Sequence, residues 1–183
     1  MPASLHDMGD ASTPLPELII LDTSVLLELS NRSHPEALSF LGRLTQQALR
    51  GNALILVPLL VMEECYFKLI QGQYEKAGYK QWYHEGYKAH PEQIAVFGPL
   101  LSVFEQGVLS LPAVITGPDD LIVSSDSAML PLHQKMLENI RDFQVLPKDA
   151  YIVAEAQRLG VTDMATLDKD WDRFDGFTVY RPL

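Results

Sequence analysis

Residues 18–29, LIILDTSVLLEL, set an ionisable Asp22 directly after four apolar residues and ahead of a second apolar run. A short continuous apolar run reads as a buried strand. Leu18–Leu21 therefore predict a strand, Thr23 to about Ser30 predict a helix, and Asp22 falls at the strand's carboxyl end. In open parallel α/β sheets the carboxyl ends of strands are where ligands bind, so the role of this one carboxylate governs the reading of the chain.

Outward from that stretch, short apolar segments alternate with helical ones, with no internal repeat and no low-complexity tract. Ser33 and Glu36, three residues apart, predict a capping box for a helix with Pro35 in its first turn and Leu38, Leu41, Leu44 and Ala48 on one face. Leu54–Val57 predict a strand, and Pro58 opens a helix through Ile70 whose buried side takes Leu59, Met62, Cys65, Tyr66 and Leu69. Residues 71 to about 107 read as helical with breaks near Gly78, Gly86, Pro91 and Pro99. Leu121–Val123 read as a strand, followed by a helix to about Phe143 with Pro131 near its first turn. Asp149–Leu159 predict a helix stopped by Gly160, and Met164–Thr166 and Thr178–Tyr180 two last strands. Short strands separated by helices imply a three-layer α/β fold, its central, mainly parallel sheet of about five strands covered on both faces.

The 183 residues, 47% hydrophobic, supply one sizeable core. Residues 1–16 lack a basic start and a continuous apolar stretch, so they read as a flexible tail rather than a signal peptide or membrane anchor; residues 17–183 form the single domain. One cysteine, Cys65, excludes an internal disulfide framework and a multi-thiolate zinc site, and suits the cytoplasm. A net charge of −10 argues against a protein that coats nucleic acid through a broad basic face. The charge is unevenly spread: residues 68–90 sum to +2, while Asp163, Asp168, Asp170, Asp172 and Asp175 crowd near the C-terminus.

Each notable acid has a plain structural reading. Asp22 suits an N-cap. Asp149 suits the first turn of a helix, where the dipole favours negative charge. Glu64 stands four residues before Lys68, the spacing of an exposed helical ion pair, although its direction, away from the buried side, also lets it face a cleft. Asp168 and Asp170 suit turns.

Taken together, LDTSV around Asp22, VPLLVMEECYF around Glu64, LPKDAYIVAEAQRLG around Asp149 and MATLDKDW around Asp168 resemble the PIN-domain nucleases, including the VapC-like toxin ribonucleases. The resemblance is strongest over residues 18–70 and 146–183, and the middle, about 71–120, diverges. It implies a PIN-like sheet and a divalent-metal-dependent ribonuclease that hydrolyses RNA phosphodiester bonds. Asp22, Glu64, Asp149 and Asp168 would then be the catalytic acids and metal ligands. In VMEEC both glutamates are available, so Glu63 stands beside Glu64. Asp170 is an addition to Asp168, and Thr23, Ser24 and Thr166 are candidate hydroxyl contacts. Clustered carboxylates repel unless a hard cation neutralises them, and oxygen ligands suit Mg²⁺ or Mn²⁺. The resemblance further implies an RNA substrate, a homodimer and, for a toxin, an antitoxin partner. The alternatives are an RNA-processing role or a noncatalytic interaction module.

In YEKAGYKQWYHEGYKAH, residues 74–90, tyrosines and Trp82 alternate with Lys76, Lys80 and Lys88, a composition able to stack bases and meet phosphates. Tyr79, Tyr83 and Tyr87 equally fit one face of an amphipathic helix packed on the sheet. Other chemistries lack their motifs: no Walker loop, GxGxxG, GxSxG or HExxH occurs, and the five histidines are scattered. An aspartyl phosphotransferase would typically carry a second Asp two residues after Asp22, where Ser24 stands.

Overall fold

In this computed structural model, which describes residues 3–117 and 132–183, the run at Leu18–Leu21 is a strand in the middle of a parallel sheet. Six strands are found among the described residues: β1 (Ser4–Asp7), β2 (Leu18–Leu21), β3 (Leu54–Pro58), β4 (Ala113–Thr116), β5 (Asp163–Ala165) and β6 (Thr178–Arg181), in the order β1-β6-β5-β2-β3-β4. Every pairing is parallel. Ile19, Ile20, Leu21, Ile55 and Val57 are fully buried, as strands covered on both faces require. The helices are α1 (Thr23–Leu26), α2 (Glu28–Asn31), α3 (Pro35–Leu49), α4 (Leu59–Lys76), α5 (Gln93–Leu109), α6 (Leu132–Phe143) and α7 (Pro147–Leu159), with a π-helical turn at Trp82–Tyr87 and a 3₁₀ turn at Lys169–Arg173. They flank the sheet in a three-layer α/β arrangement.

From β2 the chain winds outward through β3 and β4 on one side and returns through β5 and β6 on the other. The order of strands thus switches between β2 and β5, the place where open α/β sheets form a crevice. Register does the rest. Leu21 pairs with Ala165, so the next residues, Asp22 and Thr166, emerge side by side from the sheet. The Asp22 amide still donates to the Ala165 carbonyl (2.9 Å) and the Thr166 amide to the Tyr180 carbonyl (3.0 Å).

Several expectations need correction. Residues 1–16 are not simply a tail: Ser4–Asp7 is the sixth strand, paired with β6, and Met8 is fully buried. The physical cause is Arg43 of α3, whose guanidinium donates to the carbonyls of Met8 (3.1 Å), Asp10 (3.2 Å) and Ala11 (3.0 Å) and fastens this segment to the helix. The Ser33–Glu36 capping box is absent. His34 precedes α3, and the Ser33 hydroxyl donates to Glu28 instead (2.7 Å). Pro99 does not break its helix but lies inside α5, where burial of Phe104 and Val108 outweighs local propensity. On α4 the buried residues include Val61, while Leu59 is exposed. The strand after residue 110 is Ala113–Thr116; Leu121–Val123 and Pro131 lie outside the described residues.

The tyrosines at 79, 83 and 87 do not share one helix, because α4 ends at Lys76 and the π-helical turn begins only at Trp82. That turn docks through Gly86. A Cβ at this position would lie 2.6 Å from Cδ1 of the buried Tyr74 ring, so only glycine permits the approach.

Candidate active site

The two ends of LDTS hold the Asp22 side chain at the switch point. Asp22 caps α1 and is 4% exposed. Its Oδ2 accepts hydrogen bonds from the Ser24 hydroxyl (2.8 Å) and the Thr166 hydroxyl (2.9 Å), with a long contact from the Ser24 amide (3.5 Å). Each hydroxyl has one proton, and the two are drawn to the same carboxylate oxygen. Ser24 Oγ and Thr166 Oγ1 are accordingly only 3.3 Å neighbours. Both hydroxyls then accept from the backbone: the Leu167 amide donates to Ser24 (2.8 Å) and the Asp168 amide to Thr166 (3.0 Å). Asp22 Oδ2 is thus fixed through the β5 exit loop. Asp22 Oδ1 is buried and accepts no hydrogen bond among the described residues.

α4 starts immediately after β3, and its second turn brings Glu64 over the start of α1. The buried Thr23 hydroxyl and the Lys148 ammonium both donate to Glu64 Oε2. Burial raises the Glu64 pKa, but the hydrogen bonds from Lys148 and Thr23 outweigh it and hold the carboxyl below its ordinary range. Glu63, one residue earlier, is exposed. Below Glu64, Cys65 is buried with Sγ 3.9 Å from the Thr23 carbonyl, and burial pushes its thiol far up, so it serves as packing.

Asp149 lies in the first turn of α7, three residues after the extended Leu146 that precedes the helix. Burial pushes its carboxyl up to about 6, and the charges of Asp22, Asp168 and Glu64 add to the rise against the lowering by Lys148. Asp149 thus lies within electrostatic reach of each of the other three acids. Asp168 is exposed at the start of the 3₁₀ turn, where its Oδ1 accepts from the Asp170 amide (2.9 Å). Asp170 is ion-paired with Arg173, and Asp172 holds Arg181 with two hydrogen bonds of 2.7 Å. Much of the C-terminal crowding of acids is thus local pairing.

The register and the helix starts bring together two hydrogen-bonded groups, Asp22 with Ser24 and Thr166 and Glu64 with Thr23 and Lys148, joined by the 3.9 Å ion pair of Lys148 with Asp22, and Asp149 feels the charges of Asp22, Glu64 and Asp168. Lys76, Lys80 and Lys88 are exposed. Trp82 packs edge-on against Phe67 of α4 (5.2 Å), and the Lys88 ammonium lies over the Tyr83 ring (5.3 Å). Beside Glu64 opens a cleft of about 280 Å³ lined by Leu60, Glu63, Glu64, Phe67, Lys68 and Lys148.

Lys148 is the group that sequence reasoning missed. Burial lowers its pKa, but Asp22, Glu64 and Asp149 together hold the ammonium above its ordinary value. Its signal in the sequence was position: a lysine preceding a candidate acid in a helix's first turn, where the dipole disfavours a cation, needs carboxylates around it.

Among the described residues, no three His, Cys, Asp or Glu side chains are gathered closely enough to hold a metal ion as they stand. The chemistry of the donors nonetheless fits a hard divalent cation: all are oxygens, and one buried carboxylate oxygen, Asp22 Oδ1, lacks a hydrogen bond.

No protein-family model and no curated protein matches the sequence. Among solved structures, the chain is similar to VapBC2 from Rickettsia felis bound to a DNA fragment from its promoter, at 12% identity, covering 88% of this chain and 96% of that chain with a TM-score of 0.49. It is also similar to VapC20 from Mycobacterium tuberculosis, a toxin that cleaves the sarcin–ricin loop, at 14% identity, covering 84% and 92% of the two chains with a TM-score of 0.44.

Proposed function

We propose that this protein is a divalent-metal-dependent endoribonuclease of PIN type, with Asp22, Glu64, Asp149 and Asp168 as its catalytic acids. The observation that carries the reading is the buried Oδ1 of Asp22 at the strand-order switch, which accepts no hydrogen bond among the described residues, on an edge where Asp149 feels the charges of Asp22, Glu64 and Asp168. A Mg²⁺ or Mn²⁺ ion held by these four acids would supply an acidified water and stabilise charge on the phosphate and leaving oxygen.

The chain's own groups have separable tasks. Ser24 and Thr166 fix the Asp22 carboxylate so that one oxygen stays available. Thr23 orients Glu64. Asp149, in the first turn of α7, would supply a further carboxylate oxygen to the cation. Asp168, at the exposed margin, completes the oxygen set, and Asp170 is spent on Arg173. Glu63 points to solvent and is the weaker choice for the second acid. Trp82, with the exposed Lys76, Lys80 and Lys88, supplies a surface for single-stranded RNA.

In this reading the protein acts in the cytoplasm as a homodimer, and as a toxin it is paired with an antitoxin that covers the acidic edge. No described helix is long and apolar enough to cross a membrane. One observation favours a different reading, a noncatalytic interaction module: Lys148 already neutralises Glu64.

End-labelled RNA incubated with the protein in Mg²⁺ or Mn²⁺, and in EDTA, decides between them. The expected result is metal-dependent cutting that is lost in both Asp22→Asn and Asp149→Asn. A folded wild-type protein that cuts none of several RNAs supports the interaction module.

A further inference from the structure

The ribonuclease reading leaves Lys148 without a task. Its Nζ donates to Glu64 Oε2 and stands 3.5 Å from Thr23 Oγ1 and 3.9 Å from Asp22 Oδ1. These are hard oxygens, the ligand type a divalent cation takes. One of them, Asp22 Oδ1, lies on a side chain only 5% exposed and accepts no hydrogen bond among the described residues. A compact ammonium on a flexible four-carbon stem can hold such a position and also leave it, which a packed guanidinium fork does less readily. The Lys148 side chain is 30% exposed and borders the cleft lined by Leu60, Glu63, Phe67 and Lys68, so it has somewhere to go.

We propose that Lys148 is the resident counter-ion of the acid edge: it holds Glu64 and Asp22 while no metal is bound, competes with a divalent cation for both, and is displaced from them when the cation binds. This rests on the metal-dependent reading of the site. Without an internal cation, Asp22, Glu64, Asp149 and Asp168 would repel one another at the rim of the sheet. With it, the metal must replace an existing charged contact, so affinity is set below that of the bare acids. Displacement also moves a positive charge toward the side from which a phosphate backbone would approach, at the moment the metal enters.

Two measurements test this on the full chain. The first uses the wild-type protein: acetylation of lysines by an N-hydroxysuccinimide ester, read by mass spectrometry with and without Mn²⁺. Lys148 labelling is expected to rise severalfold with Mn²⁺, while the exposed Lys76 and Lys88 stay constant and serve as references. The second is Mn²⁺ binding followed by electron paramagnetic resonance. A folded Lys148→Gln is expected to bind about tenfold more tightly, since a charged hydrogen bond no longer competes, and Lys148→Arg to bind no more tightly than wild type.

Labelling of Lys148 that is blind to Mn²⁺ in a wild type that binds it, or unchanged or weaker binding in a folded Lys148→Gln, overturns the proposal and leaves the metal-dependent reading standing. Should Lys148→Gln not fold, wild-type labelling decides. If wild type and both variants bind no Mn²⁺ at millimolar concentration, the metal-dependent reading itself fails, and the proposal falls with it.

Discussion

Within the twelve residues from Leu18 to Leu29 stand two buried carboxylates, Asp22 at 4% exposed and Glu28 at 2%, and their surroundings treat them in opposite ways. Glu28 uses both oxygens. Oε1 accepts from the Ser33 hydroxyl (2.7 Å) and faces the His34 ring nitrogen (3.1 Å), and Oε2 accepts from the His34 amide (2.7 Å). Burial raises its pKa, but the bonds from Ser33 and His34 outweigh it, and the carboxyl is held below its ordinary range. Asp22 concentrates its hydroxyl donors on Oδ2 and leaves Oδ1 without a hydrogen bond among the described residues, faced by the Lys148 ammonium at 3.9 Å. A buried acid with both oxygens hydrogen-bonded ties loops to helices. A buried acid with one oxygen unanswered carries a desolvation cost that a cation would relieve.

Removing each carboxylate should give opposite patterns. Asp22→Asn keeps the cap on α1 and is expected to lower RNA cleavage per folded molecule by roughly a hundredfold or more, as loss of a metal ligand should at least match loss of its supporting partner. The melting temperature of its metal-free form should fall only slightly, since the contact given up is the 3.9 Å ion pair with the partly exposed Lys148. Glu28→Ala leaves the His34 amide and Ser33 hydroxyl without their acceptor. It is expected to cost about 2–3 kcal/mol in urea unfolding, with cleavage per folded molecule unchanged. A cleavage defect in Glu28→Ala larger than that in Asp22→Asn would abolish the distinction.

The pH dependence of stability sharpens it. In the unfolded chain Asp149 titrates near its ordinary 3.8, and in the folded protein burial and neighbouring acids push it up to about 6. Between those values the folded state binds more protons than the unfolded one. Stability of the metal-free protein should therefore fall as pH rises from about 4 to about 6, and remain lower above. Asp149→Asn removes that loss. Thermal unfolding should show it more stable than wild type at pH 7, by on the order of 1–2 kcal/mol after allowance for screening, and equal to it near pH 4. An Asp149→Asn advantage that is the same at both pH values would mean that crowding of acids is not its source.

The sequence made the middle of the sheet legible because β2 and β3 are short continuous apolar runs, and Asp22 could be placed from its position directly after the first of them. Asp149 was placed on a helix stopped by Gly160, although that helix begins two residues earlier than its sequence suggested, at Pro147. What escaped depended on partners distant in sequence. Ser4–Asp7 is too polar to read as a strand and is fastened by Arg43, thirty-odd residues away. Gly86 looked like a helix breaker, yet its absent side chain admits the Tyr74 ring. Ser33 carries a capping pattern but is claimed by Glu28. Lys148 could not be assigned to Glu64, eighty-four residues earlier, without the β3–α4 and α6–α7 connections that bring them together.

The smallest expected effect concerns how Asp22 is aimed. Thr166 receives the Asp168 amide (3.0 Å) and gives its own proton to Asp22 Oδ2 (2.9 Å), so it couples the loop carrying one acid to the carboxylate of another. Thr166→Val preserves the branched shape and deletes both bonds. Ser24 still donates to Oδ2, so the carboxylate keeps one strong tether and the stability cost should be about 1 kcal/mol. Its plane is then free to turn about that tether, and Mn²⁺ affinity is expected to fall about tenfold, the usual order for loss of a group that orients a metal ligand. Thr166→Ser should recover most of it, because the hydroxyl and not the methyl does the aiming. If Thr166→Val binds Mn²⁺ as wild type does, Ser24 alone sets the orientation. The difference between Asp22 and Glu28 would then lie entirely in Oδ1, which accepts no hydrogen bond among the described residues.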